Sequence, residues 1–234
     1  MRNTKTNNME NINGIKYLIK FVTQKEHAQM LYDGKLYTHC IKYYHSINQQ
    51  GQGDIREASL FPNFRIYRGT DYPIYCLMAV KTDDIKDKTV LINKKAISDF
   101  NCQEGFIVII DYVTFCERLK SLNYDSKSVK CYHRLVTYGT PTQELSLEWF
   151  CDLNSLDHIF VKGPSYKHQQ EYRILISDSI DYRSVIEFHD GEFLKVRYYD
   201  VPKVYQLDKD LHDISEIYSI KELSTDKDHL LIRL

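Results

Sequence analysis

His168-Gln169-Gln170-Glu171-Tyr172-Arg173-Ile174-Leu175-Ile176 is the stretch on which the reading of this chain turns. Side chains alternate faces along a β-strand, so the stretch predicts Gln169, Glu171 and Arg173 on one face and Tyr172, Ile174 and Ile176 on the other. Three hydrogen-bonding groups at the mouth of a strand that then turns apolar describe a cleft wall. They also describe a half-exposed antiparallel strand on which Glu171 and Arg173 form a salt bridge.

The flanking segments set this strand in an α+β pattern. Upstream, Gly163-Pro164-Ser165 reads as a turn, His158 to Lys162 as extended chain, Glu144 to Leu153 as a helix and Tyr132 to Tyr138 as a strand. Downstream, Ser184 to Phe188 and Phe193 to Tyr199 flank His189-Asp190-Gly191 as a hairpin would, and 211–223 and 229–234 close the domain. Two apolar runs, Ile74 to Val80 and Phe106 to Ile110, read as central strands covered on both faces. Tyr112 to Leu122 has helical spacing, as does the segment after Thr23, whose offset from Glu26 predicts a capping box and which ends at Gly34, where a left-handed cap is wanted. About eight strands with helices gathered in the first two thirds predict an α+β domain over 15–234, with a bent, mostly antiparallel or mixed sheet and flanking helices. Residues 1–14 are polar and lack an apolar period, so they read as a disordered tail.

The totals exclude several classes. A net charge of −1 over 234 residues leaves no global footprint for nucleic acid, although a local basic groove stays open. No apolar run approaches the ~20 residues that cross a bilayer. Six scattered cysteines without a C-x-x-C pair point to a reduced, cytoplasmic chain, and nine histidines without a H-x-x-x-H cluster give no metal site. Nineteen tyrosines against one tryptophan suit strands and cleft walls, since the ring packs while the hydroxyl keeps a partner. No dinucleotide, phosphate-loop or esterase motif occurs. Gln49 to Ser59, with Asp54, Arg56 and Glu57, reads as a long loop, functional or simply solvated. Cys76, mid-strand, reads as a buried structural thiol.

The order Gly34-Lys35-Leu36-Tyr37, Gly53-Asp54-Ile55-Arg56-Glu57, Ile74-Tyr75-Cys76, Phe160-Val161-Lys162 and Gln169-Gln170-Glu171-Tyr172-Arg173-Ile174 resembles a family of uncharacterised bacterial proteins, some of them phage-linked, from about Lys16 to Leu223. A first strand ending near Lys20, a middle strand at Ile74 to Val80 and a late Gln169-x-Glu171 also resemble the three-strand order of ADP-ribosyltransferases. That resemblance implies NAD as cofactor, a toxin or phage-defence effector that modifies a macromolecule, and an antitoxin as a further partner. Glu171 would be the catalytic carboxylate that stabilises an oxocarbenium-like ribose, and Gln169 would orient the acceptor. Lys20 or Arg68 would hold the pyrophosphate, with Tyr37 and Arg173 as further cofactor-binding candidates. The chain departs from that pattern where Lys20 or Phe21 replaces the usual arginine or histidine, and where Cys76-Leu77-Met78 replaces Ser-x-Ser. The rival expectation is a non-catalytic binding protein of the same fold with a structural Glu171 and Arg173 pair.

Overall fold

A computed structural model describes residues 14–46, 72–139, 157–178, 183–187, 195–199 and 202–234. The architecture is α+β with mostly antiparallel sheets and few helices. The chain runs β1 (Ile15–Val22), α1 (Lys25–Tyr32), β2 (Lys35–Cys40), α2 (Ile41–Ser46), β3 (Pro73–Lys81), β4 (Thr89–Asn93), α3 (Lys94–Asp99), β5 (Phe106–Asp111) and α4 (Tyr112–Arg118). It continues through β6 (Cys131–Leu135), β7 (Glu171–Ile176), β8 (Arg183–Glu187), β9 (Lys195–Tyr199), β10 (Lys203–Gln206), β11 (Ser215–Ser219) and β12 (His229–Arg233). Strands of two residues and short 3₁₀ turns fill the joints.

Alternation along the central strands creates two cores. In β5, Val108 and Ile110 enter the core beneath α1 and α4, whereas Ile107 and Ile109 enter the core shared with α3, β4 and β12. β3 divides the same way, with Tyr75, Leu77 and Ala79 on the first side and Met78 and Val80 on the second. Each strand therefore buries both faces, which is why these runs are apolar throughout. In β7, Tyr172, Ile174 and Ile176 join the core beneath the helices, and Leu175 joins a third cluster with Ile41, Ile74, Ile159 and Phe160. Glu171 and Arg173 face away from the first core.

The order of the main sheet, β11-β5-β1-β3-β2-β10, hides a split. Met78 pairs with both Ile19 of β1 and Glu171 of β7, so β1 and β7 lie on opposite edges of β3. Ile74 pairs with both His39 of β2 and Leu175 of β7, so β2 shares the edge that β1 uses. Between these two contacts, no strand among the described residues pairs with Tyr75, Cys76 or Leu77 on that edge. The sheet opens there.

Local expectations were met unevenly. Gly34 takes φ +79 after α1, and a Cβ there would come within 3.1 Å of the Lys209 carbonyl, so the glycine serves both conformation and packing. The capping box at Thr23 does not form: Gln24 is the N-cap, without a side-chain bond. The strand expected from His168 begins at Glu171, because Pro164–Gln169 is a 3₁₀ turn that ends on Gln170 at φ 44. His158 to Lys162 is likewise extended only at Val161–Lys162, following a 3₁₀ turn at Asp157–Phe160. The predicted strand at 64–68, the helix at 144–153, the loop at 49–59 and the tail up to residue 13 lie outside the described residues. Gly14 itself is held, its carbonyl accepting from the Thr82 amide at 2.9 Å. No helix among the described residues is long and apolar enough to cross a membrane.

Candidate functional site

The split in the sheet is a cleft of about 240 Å³. β3 gives its floor through Ile74 to Met78, β1 one wall through Ile19 to Val22, and β2 the other through Lys35, Tyr37 and His39. Gln169, Glu171 and Lys162 close one end.

That end is a buried ionic cluster. Glu171 accepts from Lys162 Nζ at 2.9 Å on Oε2 and from Arg173 Nε at 2.7 Å on Oε1, while Arg173 also donates to the Ile159 carbonyl. Burial alone would raise the Glu171 carboxyl, but the charges of Arg173 and Lys162 outweigh it and hold the group well below the usual carboxylate range. The carboxylate is thus ionised at neutral pH and a poor base. Both of its oxygens are engaged by cations, so its field inside the cleft is largely cancelled.

Gln169 is locked from both ends. Its Oε1 accepts from Lys162 Nζ at 3.0 Å and its Nε2 donates to Asp99 Oδ2 at 3.1 Å. Asp99, near the end of α3, also receives Lys95 Nζ at 3.1 Å and His168 Nε2. Burial would raise this carboxyl, and the hydrogen bonds from His168, Gln169 and Lys95 lower it instead. The run from Asp99 through Gln169 and Lys162 to Glu171 and Arg173 ties α3 to the end of β7, which gives the cleft a rigid boundary.

Lys20 is different. Its parity matches Leu18 and Val22, so its stem starts on the helix-covered face, and its amine reaches into the split to donate to the Cys76 carbonyl at 2.8 Å. The amine lies 4.2 Å from the Tyr75 ring centre. Among the described residues no carboxylate pairs with it, because Glu171 is already committed to Lys162 and Arg173. Burial pushes this amine below the ordinary lysine value, and the charges of Cys76 and Glu171 restore only part of that loss.

The walls carry rings. Phe21 stacks on Phe100 at 5.5 Å, and Tyr37 stands between His27 at 5.7 Å and His39 at 5.2 Å. Among the described residues three lysines line the cleft against one carboxylate, so these groups sum to a positive charge.

The residues singled out in the sequence are therefore distributed as follows. Gln169, Glu171, Lys20 and Tyr37 border one cleft. Arg173 does not touch it, being fully buried behind Glu171, so it acts there only through that carboxylate. Gln169 reaches the cleft from a 3₁₀ turn instead of from the strand. Arg68 lies outside the described residues. Cys76 is only half-buried and lines the cleft. Lys162 and Asp99 carried no assigned role in the sequence: the first sits on a two-residue strand, and the second comes from a helix far upstream, so no local pattern marks either.

No family model, no curated protein and no solved structure matches this chain.

Proposed function

We propose that the cleft between β1 and β2 binds an anionic molecule carrying a flat ring, the chemistry of a nucleotide, and that Lys162, Glu171 and Arg173 form its rigid end wall. The observation that carries this reading is Lys20, a cation with no carboxylate partner among the described residues, at the floor of a ring-lined cleft. Holding such a charge away from water is costly unless a ligand of opposite sign completes it. Lys35 at the rim adds a second cation, and Phe21, Phe100 and Tyr37 line the cleft with aromatic surface for a ring. The reading is that of a binding protein in which Glu171 is structural.

The test is thermal unfolding with ADP, NAD, inorganic phosphate and nicotinamide added separately. A nucleotide at a hundred times its dissociation constant should stabilise the fold by about 2.7 kcal/mol. Phosphate or nicotinamide alone should do less, and Lys20→Met should remove the effect. If none of the four raises the midpoint, the reading is wrong.

A second reading, NAD-dependent ADP-ribosyl transfer to a macromolecule, is favoured by one observation: Glu171 and Gln169 border the same cleft as Lys20. Glu171 would then stabilise a cationic ribose as a fixed charge, a role its ionisation at neutral pH suits and its two cationic partners weaken. NAD cleavage by the wild type, lost in Glu171→Gln at an unchanged unfolding midpoint, would support it. Absence of NAD cleavage by the wild type across protein, RNA and DNA acceptors would remove it.

A further inference from the structure

We infer that Lys20 is a reactive amine, and that the ligand of this cleft carries an aldehyde or ketone that condenses with it. The inference rests on the reading of the cleft as a site for an anion with a ring, and it narrows the class of that ligand.

Four observations converge on Lys20. It lines the cleft, and its side chain is half-buried, so a ligand in the cleft can reach the amine. Its partners among the described residues are a backbone carbonyl at 2.8 Å and the face of the Tyr75 ring at 4.2 Å. Neither of these holds an ammonium as a carboxylate would, and both leave a neutral amine in place. Among the described residues the one carboxylate that lines the cleft, Glu171, is shared by Lys162 and Arg173. An amine that is enclosed, short of counter-charge and open to a cavity has the conditions under which lysine becomes a nucleophile, and burial shifts its ionisation in the same direction. Lys20 thus draws the anion as an ammonium and condenses through the fraction that has lost its proton, while Lys35, exposed at the rim, is the second cation that holds the anion.

The chemistry balances without an oxidant or reductant. The amine nitrogen attacks the carbonyl carbon, forming a C–N bond, while one amine proton passes to the carbonyl oxygen. The second amine proton leaves with the hydroxyl as water, and the product is an imine. Hydrolysis reverses it.

Pyridoxal 5′-phosphate, a flat anionic aldehyde, is a suitable probe at neutral pH, with borohydride to trap the imine and peptide mass mapping to locate it. The expected result is labelling of Lys20 faster than of exposed lysines such as Lys86 and Lys221. Lys20→Arg, which keeps the charge but cannot condense, should lose this fast labelling. Lys20→Met serves the same purpose if arginine disturbs folding, as judged by circular dichroism, and the wild-type map decides the matter in either case. Labelling spread over exposed lysines with Lys20 no faster would overturn the inference. Fast labelling of Lys20 that ADP slows supports both the amine and the nucleotide-like cleft. Fast labelling that ADP does not slow supports the amine and overturns the nucleotide reading, whereas ADP stabilisation without fast labelling overturns the amine alone.

Discussion

Glu171 has two cationic partners and almost no access to water, so its fate on substitution follows from what remains behind. Glu171→Gln leaves Arg173 and Lys162 facing a neutral amide in a buried site, where breaking one side of an ion cluster costs roughly 3–5 kcal/mol. Urea unfolding should show that loss; a midpoint within about 0.5 kcal/mol of wild type, the scatter of surface substitutions, would instead mean that the carboxylate contributes little to the fold. The pH dependence has a definite sign. The folded carboxyl lies below its unfolded value, so its stabilisation is fully present above the unfolded value near 4.5 and is lost as pH falls through the folded one. Wild type should therefore lose stability steeply under acid, and Glu171→Gln should lose less. Lys20 has the opposite character: its amine is lowered on folding, so the unfolded chain binds more protons between the folded value and 10.5, and stability rises with pH across that window. Lys20→Met should raise the unfolding midpoint at neutral pH by roughly 1 kcal/mol, and a fall would mean that its bond to the Cys76 carbonyl outweighs the burial of charge.

At the scale of elements, the start of β5 is set by Gly105. A Cβ at Gly105 would lie 2.3 Å from the Val22 carbonyl at the end of β1, a backbone atom that cannot step aside. Gly105→Ala should lower the unfolding midpoint by about 1–3 kcal/mol through forced displacement of paired strands, and calorimetry checks it. An unchanged midpoint would show that the β1 end yields freely. β7 illustrates a different control. Its alternation was legible, but its first residue was not, because the break at Gln170 is tied to the amide of Ala79 on β3, which donates to the Gln170 carbonyl at 2.8 Å. A contact between residues so far apart in the chain leaves no trace in local periodicity.

For the whole molecule, the amino terminus gives a further expectation. Residues 1–13 carry little apolar surface, so their deletion should leave the thermal midpoint nearly unchanged. Extending the deletion through Gly14 removes the acceptor for the Thr82 amide and should lower it, and a large drop from the shorter deletion would mean that the tail packs. What the sequence determined by itself was the faces of the central strands. Val108 and Ile110 against Ile107 and Ile109, and Tyr172, Ile174 and Ile176 against Glu171 and Arg173, follow from a period of two and from the cost of exposing apolar surface. The tertiary structure alone decided where the sheet splits, since that depends on Met78 and Ile74 pairing with different strands on one edge. It also decided that Glu171 is shared by Lys162 and Arg173 while Lys20 is left without a carboxylate partner among the described residues. Charges separated by tens or hundreds of residues compete for partners only once folding has brought them together, and that competition is where the chemistry of the cleft is set.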